Sequence, residues 1–225
     1  MAKRVTICPG DTALKALLPS AGAAAVATYS SAELSAMDVA RRVAAALRAG
    51  TAHVEADFIP AQALAGARAV ANDILGGGSS PASAAGLLPV VAAIEALRAA
   101  LVDATGRRLL EQSELTLLGY RAGGSYRRHK DDAPGLTIGT SGRQVRRSLS
   151  LLVYLTSDGW QTAKDGGALR VYPPKGQAGE PVDVEPLAGT LVVFDSATIP
   201  HEVLQTNQPR ILLAGWLQEE RQEGE

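Results

Sequence analysis

A change of pattern near residue 109 constrains this chain more than any other feature of its sequence. Before that point, apolar residues recur at helical spacing. After it, the chain breaks into short runs bounded by Gly, Pro, Asn and Asp. In the first half, Ser31 can cap a helix carrying Leu34, Val39, Val43 and Leu47, closed by Gly50. Pro60 suits the first position of a second helix, where its missing N–H has no partner to lose. That helix runs through Leu64, Val70 and Leu75 and stops at Gly76-Gly77-Gly78. After Pro89, Val90, Ile94, Leu97 and Leu101 form one stripe of a third helix, ended by Gly106. The strand-like runs are 114–121, 147–155, 168–172, 190–194, 202–205 and 210–217. A helical block followed by many short strands predicts an α+β fold, with helices packed on an antiparallel sandwich or barrel.

The 225 residues suit one domain, or one domain with an added N-terminal segment. A hydrophobic content of 46% and a net charge of −1 argue against a disordered chain or a polyanion-binding surface, so no nucleic-acid partner is expected. Cys8 is the one cysteine, which rules out an internal disulfide. No apolar run approaches the roughly 18 residues of a membrane span, so no membrane partner is expected. Lys3, Arg4 and the later Ala25-Val26-Ala27 loosely resemble a signal peptide, but Pro9, Gly10, Asp11, Lys15 and Pro19 interrupt its apolar part. A cytoplasmic location is therefore expected. Basic residues cluster at Arg127, Arg128 and Lys130 and again at Arg143, Arg146 and Arg147, as a solvated face or a substrate lip. The long loop 132–146 is a candidate lid.

The chemistry centres on the three histidines, His53, His129 and His201. His129 is followed two residues later by Asp131, and positions i and i+2 of an extended strand project to one face. With His201, at the start of another run, they make two imidazoles and one carboxylate, the facial set that holds iron(II) and leaves positions open. His-x-Asp alone is weak; its surroundings strengthen it. A 2-oxo diacid needs a cation for its distal carboxylate, and an arginine offers a rigid two-pronged donor. Taking 201–216 as a hairpin turning at Thr206-Asn207-Gln208-Pro209 pairs Gln205 with Arg210 and His201 with Ala214. Arg210, Leu212, Ala214 and Trp216 then share the face of His201. Tyr120, Tyr126 and Tyr154 are candidate neutral donors to the same site.

The stretch Tyr120-Arg121-Ala122-Gly123-Gly124-Ser125-Tyr126-Arg127-Arg128-His129-Lys130-Asp131 resembles the Y-x-x-G-x-x-Y-x-x-H-x-D motif of the prolyl 4-hydroxylase branch of the iron(II)- and 2-oxoglutarate-dependent oxygenases. Gly166-Gly167-Ala168-Leu169-Arg170, Gly189-Thr190-Leu191-Val192-Val193-Phe194 and Pro200-His201-Glu202-Val203 resemble its later segments, and Asp57-Phe58-Ile59-Pro60 resembles the opening of the domain. The resemblance covers roughly residues 54–218, with 1–53 as a helical extension and 219–225 as a polar tail. It implies a double-stranded β-helix (jelly roll), iron at His129, Asp131 and His201, and 2-oxoglutarate at Arg210, Tyr154 and Tyr120. Arginine in the distal-carboxylate role is similar to the hypoxia-factor type of prolyl hydroxylase and departs from the collagen type. Arg147, Arg170 and Trp216 fall where that type has substrate-side residues. Dioxygen is the implied co-substrate and L-ascorbate an implied accessory reductant.

Three readings stay open on the sequence. The leading one is a hydroxylase of a peptidyl proline in a protein target. The second is a hydroxylase of a free amino acid or other small metabolite on the same scaffold, since fold and cofactor do not settle the substrate. The third is a binding module with a vestigial metal set, which the intact His129, Asp131, His201 and Arg210 disfavour.

Overall fold

The computed structural model describes residues 2–7, 31–76, 85–132 and 144–221. Among the described residues of the first half are three helices, α1 (Ser31–Arg48), α2 (Ala61–Gly76) and α3 (Leu88–Thr105). The short α4 (Thr162–Asp165) comes later. In α3 the stripe Val90, Val91, Ile94, Leu97 and Leu101 is buried. Pro89 sits in its first turn, and Gly106, at φ 70°, closes it with an N–H to the Val102 carbonyl at 2.9 Å. Helix α2 begins one residue after Pro60 and buries Leu64, Ala67, Val70 and Ala71. The helix signals at Val39, Val43 and Gly50 likewise match α1. The side chains of Ser31 and Leu34 lie outside the described residues, as do Cys8, Ala25-Val26-Ala27 and most of the expected lid (133–143).

The strands are β1 (Lys3–Ile7), β2 (His53–Glu55), β3 (Leu109–Tyr120), β4 (Tyr126–His129), β5 (Val145–Tyr154), β6 (Leu169–Val171), β7 (Val182–Val184), β8 (Leu191–Asp195), β9 (His201–Val203) and β10 (Arg210–Glu220). They form a six-stranded sheet ordered β1-β3-β10-β5-β8-β2 and a four-stranded sheet ordered β4-β9-β6-β7. Every strand pairing is antiparallel. The period-two alternation of the larger sheet separates two cores. Leu115, Leu117, Leu149, Leu151, Leu213 and Leu217 face the helices. Leu118, Tyr120, Leu152, Tyr154, Leu212 and Ala214 face inward, in one cluster with Leu169, Val171 and Val203 of the smaller sheet. This is the expected α+β jelly roll with helices against one sheet.

The structure corrects five expectations. First, β9 and β10 are not a hairpin: His201 pairs with His129 in the smaller sheet, while Ala214 pairs with Thr116 and Leu152 in the larger one. Thr206–Pro209 is instead a crossover between sheets, and its backbone groups bond elsewhere. The Gly123 N–H donates to Thr206 O at 2.7 Å, and the Asn207 N–H donates to Asp165 O at 2.7 Å. Second, β4 stops at His129, so Asp131 lies past the strand and is held by its N–H on the Ser196 carbonyl at 3.1 Å. Third, the first 53 residues are more than a helical extension, because β1 pairs with β3 and α1 packs on α3. Fourth, the polar tail starts later than 219, since β10 runs to Glu220 and buried Glu219 accepts the Arg108 N–H at 3.1 Å. Fifth, Ala85–Thr105 is by length and composition apolar enough to cross a membrane. Its buried stripe is packed here in the core between α1 and the larger sheet. Removing part of that stripe should be costly: Leu97→Ala should lower the unfolding free energy by about 2–5 kcal/mol in denaturant titrations with the slope unchanged.

Candidate metal and 2-oxo-acid site

The pairing of β4 with β9 sets His129 directly opposite His201, with ring centroids 4.3 Å apart. Each imidazole is oriented by its own backbone: His129 Nδ1 lies 3.0 Å from Arg127 O, and His201 Nδ1 lies 3.3 Å from Ile199 O. A carbonyl can only accept, so Nδ1 carries a proton in either charge state of the ring, and Nε2 is the nitrogen turned to Asp131 and to any bound ion. His129 Nε2 stands 3.2 Å from Asp131 Oδ1, and His201 Nε2 stands 3.7 Å from Asp131 Oδ2. Ligand atoms of the three residues all lie within 4.8 Å of one another, a set that can hold one divalent ion.

Burial opposes ionisation of Asp131, but the His129 hydrogen bond, the His201 ring and the Ser150 hydroxyl outweigh it and hold the carboxyl well below the usual carboxylate range. Ser150 Oγ donates to Asp131 Oδ2 at 2.6 Å and is linked to Ser196 Oγ at 2.8 Å. The Trp216 indole N–H is turned toward the same carboxylate without a hydrogen bond of normal geometry. Burial also lowers the pKa of His201, which favours the neutral, metal-binding form.

The same cavity, about 340 Å³ in volume, reaches from this cluster to Arg210. Arg210 is wholly buried; its Nε donates to Gly167 O at 2.8 Å, and both terminal nitrogens have no partner. Its guanidinium lies 4.9 Å from the Tyr154 ring centroid and 5.4 Å from that of Tyr120. The Tyr154 hydroxyl, also wholly buried, has no hydrogen bond of normal geometry. Burial pushes both phenols upward in pKa against the pull of Arg210, so both stay neutral and able to donate. A buried, unpaired cation is costly unless an anion completes it. Two guanidinium N–H groups beside a phenol form the donor set that a carboxylate fits. Gly167, at φ 75°, allows this approach, because a Cβ there would stand 3.0 Å from Arg210 Cδ.

The remaining expected residues divide. Trp216 and Arg147 line the cavity, with the Arg147 guanidinium 3.8 Å over the indole and its charge engaged by Glu114. Arg170 is not among the lining residues. It alternates with inward Leu169 and Val171 and forms a two-point ion pair with Asp183 on the outer face. Tyr126 packs edge-on against His129 at 4.6 Å. Sequence reasoning passed over Ser150, Ser196 and Arg4. The signal for Ser150 was a polar residue at an inward position of an otherwise apolar strand; Ser196 and Arg4 carry no local signal.

Residues 115–218 match the family model of the 2OG-Fe(II) oxygenase superfamily. A prolyl-4-hydroxylase from Pseudomonas putida superposes with a TM-score of 0.65 at 32% identity, covering 81% of this chain and 94% of that one. The chain belongs to this superfamily, in its prolyl 4-hydroxylase-like branch. A Trichoplax adhaerens prolyl hydroxylase in complex with a hypoxia-inducible-factor peptide shares the fold, with a TM-score of 0.68 at 16% identity over 84% of this chain and 94% of that one. A Caenorhabditis elegans hypoxia-inducible factor prolyl hydroxylase is 37% identical over 65 residues, which are 28% of this chain and 9% of that protein. The chain thus spans about a tenth of that relative's length in this match.

Two consequences of the geometry can be measured. Ser150→Ala should weaken divalent-metal binding by about 10–100-fold by freeing the Asp131 carboxylate to turn; an unchanged affinity would remove Ser150 from that role. Arg210→Ala should abolish the rise in melting temperature that 2-oxoglutarate gives and weaken its binding about 10–100-fold. Divalent-metal affinity should stay within about twofold, because the triad is held by other bonds; equal losses of both ligands would contradict the assignment.

Proposed function

We propose that His129, Asp131 and His201 hold iron(II), that Arg210 and Tyr154 grip the distal carboxylate of 2-oxoglutarate beside Tyr120, and that the enzyme hydroxylates a prolyl residue of an extended peptide. The observation that carries this reading is the unpaired Arg210 head and Tyr154 hydroxyl, buried in the same cavity as the two histidines and Asp131. Bound iron(II) with 2-oxoglutarate supplies the oxidation of an unactivated C–H bond by dioxygen, releasing succinate and carbon dioxide.

The chain's own residues supply position and dryness. The two backbone-anchored imidazoles fix the direction of their lone pairs. Ser150 fixes the carboxylate, and Arg210 fixes the far end of the co-substrate. Leu118, Leu152, Leu169, Val203, Leu212 and Ala214 make the walls apolar, which keeps water from the reacting centre. No general acid or base is required, and among the described residues lining the cavity Asp131 is the one carboxylate.

The peptide reading is supported by the prolyl-4-hydroxylase relative at 32% identity and by a peptide seated on the same fold in the Trichoplax adhaerens enzyme. A cavity of about 340 Å³ would also take a small free amino acid, the second reading. Incubation with a proline-containing peptide library, iron(II) and 2-oxoglutarate should give peptides one oxygen heavier by mass spectrometry. No modified peptide, alongside turnover of free amino acids, would replace the first reading with the second. His129→Ala should lose the visible charge-transfer absorption that iron(II) and 2-oxoglutarate give together under anaerobic conditions; a variant that keeps it would sink the iron assignment.

A further inference from the structure

The basic residues around the site are unequally committed. Arg128 lies 3.8 Å over the Tyr172 ring, away from the cavity lining. Arg146 is paired with Glu219 and Arg147 with Glu114. Two cations remain on the described cavity wall: Lys130, between His129 and Asp131 just past the end of β4, and Arg4, from β1. Arg4 pairs in register with Leu118, an inward position, so its side chain reaches across to Tyr126, with the guanidinium carbon 5.5 Å from the ring centroid. Its neighbour Lys3 turns the other way, to the Leu75 carbonyl at the end of α2. Among the described residues, no carboxylate lies within ion-pair distance of Arg4 or Lys130.

Charge balance shows what this arrangement is for. Iron(II), the Asp131 carboxylate, the two carboxylates of 2-oxoglutarate and the Arg210 guanidinium together carry no net charge. Glu114 cancels Arg147 in the same way. Once the co-substrate is seated, Arg4 and Lys130 are therefore surplus positive charge on a wall whose one carboxylate is already engaged. A field of one sign at the mouth of a cavity draws and orients a ligand of the other sign.

We infer that Arg4 and Lys130 select substrate by a carboxylate: the preferred peptide carries a Glu or Asp within a few residues of its target proline, and the N-terminal strand β1 completes the substrate-recognition surface. This deepens the reading given under Proposed function and rests on it. Arg4 does not touch the reacting atoms, so its effect falls on substrate binding and leaves the chemical step alone.

The test uses the full chain loaded with iron(II) and 2-oxoglutarate, and peptide pairs differing only by Glu or Gln near the proline. Both kcat/KM for hydroxylation and direct peptide affinity under anaerobic conditions are measured. The acidic peptide should be favoured by about fivefold at low salt, mostly in KM and in affinity, and the preference should shrink at high salt. Arg4→Gln should erase most of the preference while leaving peptide-free 2-oxoglutarate binding unchanged, and Arg4→Lys should retain it. Arg4→Glu should turn it toward a Lys-flanked peptide, a reversal that misfolding cannot produce. No acidic preference in wild type, or the same preference in Arg4→Gln, overturns the inference. Binding with an acidic preference but no hydroxylation keeps the inference and overturns the proline reading. No binding of either peptide overturns both.

Discussion

A wholly buried arginine whose two terminal nitrogens meet no protein acceptor is the constraint around which the rest of this structure is arranged. Transferring a guanidinium from water into a protein interior costs several kcal/mol even after relaxation. Arg210 recovers part of that through the Gly167 carbonyl and the faces of Tyr120 and Tyr154. The remainder is available to whichever anion enters. Ligand binding then does what folding left undone, and affinity for an anion is built into the chain as an unmet hydrogen-bonding demand. A two-glycine step at Gly166-Gly167 is part of the same device: both adopt positive φ, and neither tolerates a Cβ against Thr206, Gln205 or Arg210.

The two sheets divide the labour. The smaller sheet supplies the imidazoles, because its β4–β9 register puts them face to face. The larger sheet supplies the anion-binding end from β5 and β10 and the Ser150 hydroxyl from β5. Asp131 joins the two. It follows β4 in sequence but is fixed by the Ser196 carbonyl just beyond β8 and by Ser150. A ligand spanning the metal cluster and Arg210 therefore bridges both sheets, so its binding should stiffen the whole roll as well as one loop.

How far this could be read from the sequence depended on whether the information was local. Helix α3 was legible because its stripe, Pro89 and Gly106 lie within one stretch of chain. The metal cluster was legible because few residue types do that chemistry and the chain has 3 histidines. Strands β1, β2 and β7 were not: they have 5, 3 and 3 residues, lie at sheet edges and take their identity from a partner far away in sequence. The inward face of Arg210, Leu212, Ala214 and Trp216 was foreseen correctly through a pairing that does not exist. Alternation along β10 is a local property and survived; the partner strand is a long-range property and did not. Arg170 shows the opposite failure. The pattern placed it correctly in a strand, but side-chain parity turns it outward to Asp183.

The way the histidines are oriented has a consequence for selectivity. In many metal sites a carboxylate accepts the second imidazole N–H and adds negative charge close to the ion. Here both Nδ1 groups are taken up by backbone carbonyls, and hydroxyls brace the one carboxylate. Orientation is thus achieved with neutral groups. Among the described residues the cavity wall carries no acid beyond Asp131, and Arg4 and Lys130 meet no carboxylate at ion-pair distance. A substrate approaching the mouth meets a positive potential that a carboxylate-braced site would have cancelled. The choice of neutral supports for the metal cluster is, on this argument, what leaves charge available to read the substrate.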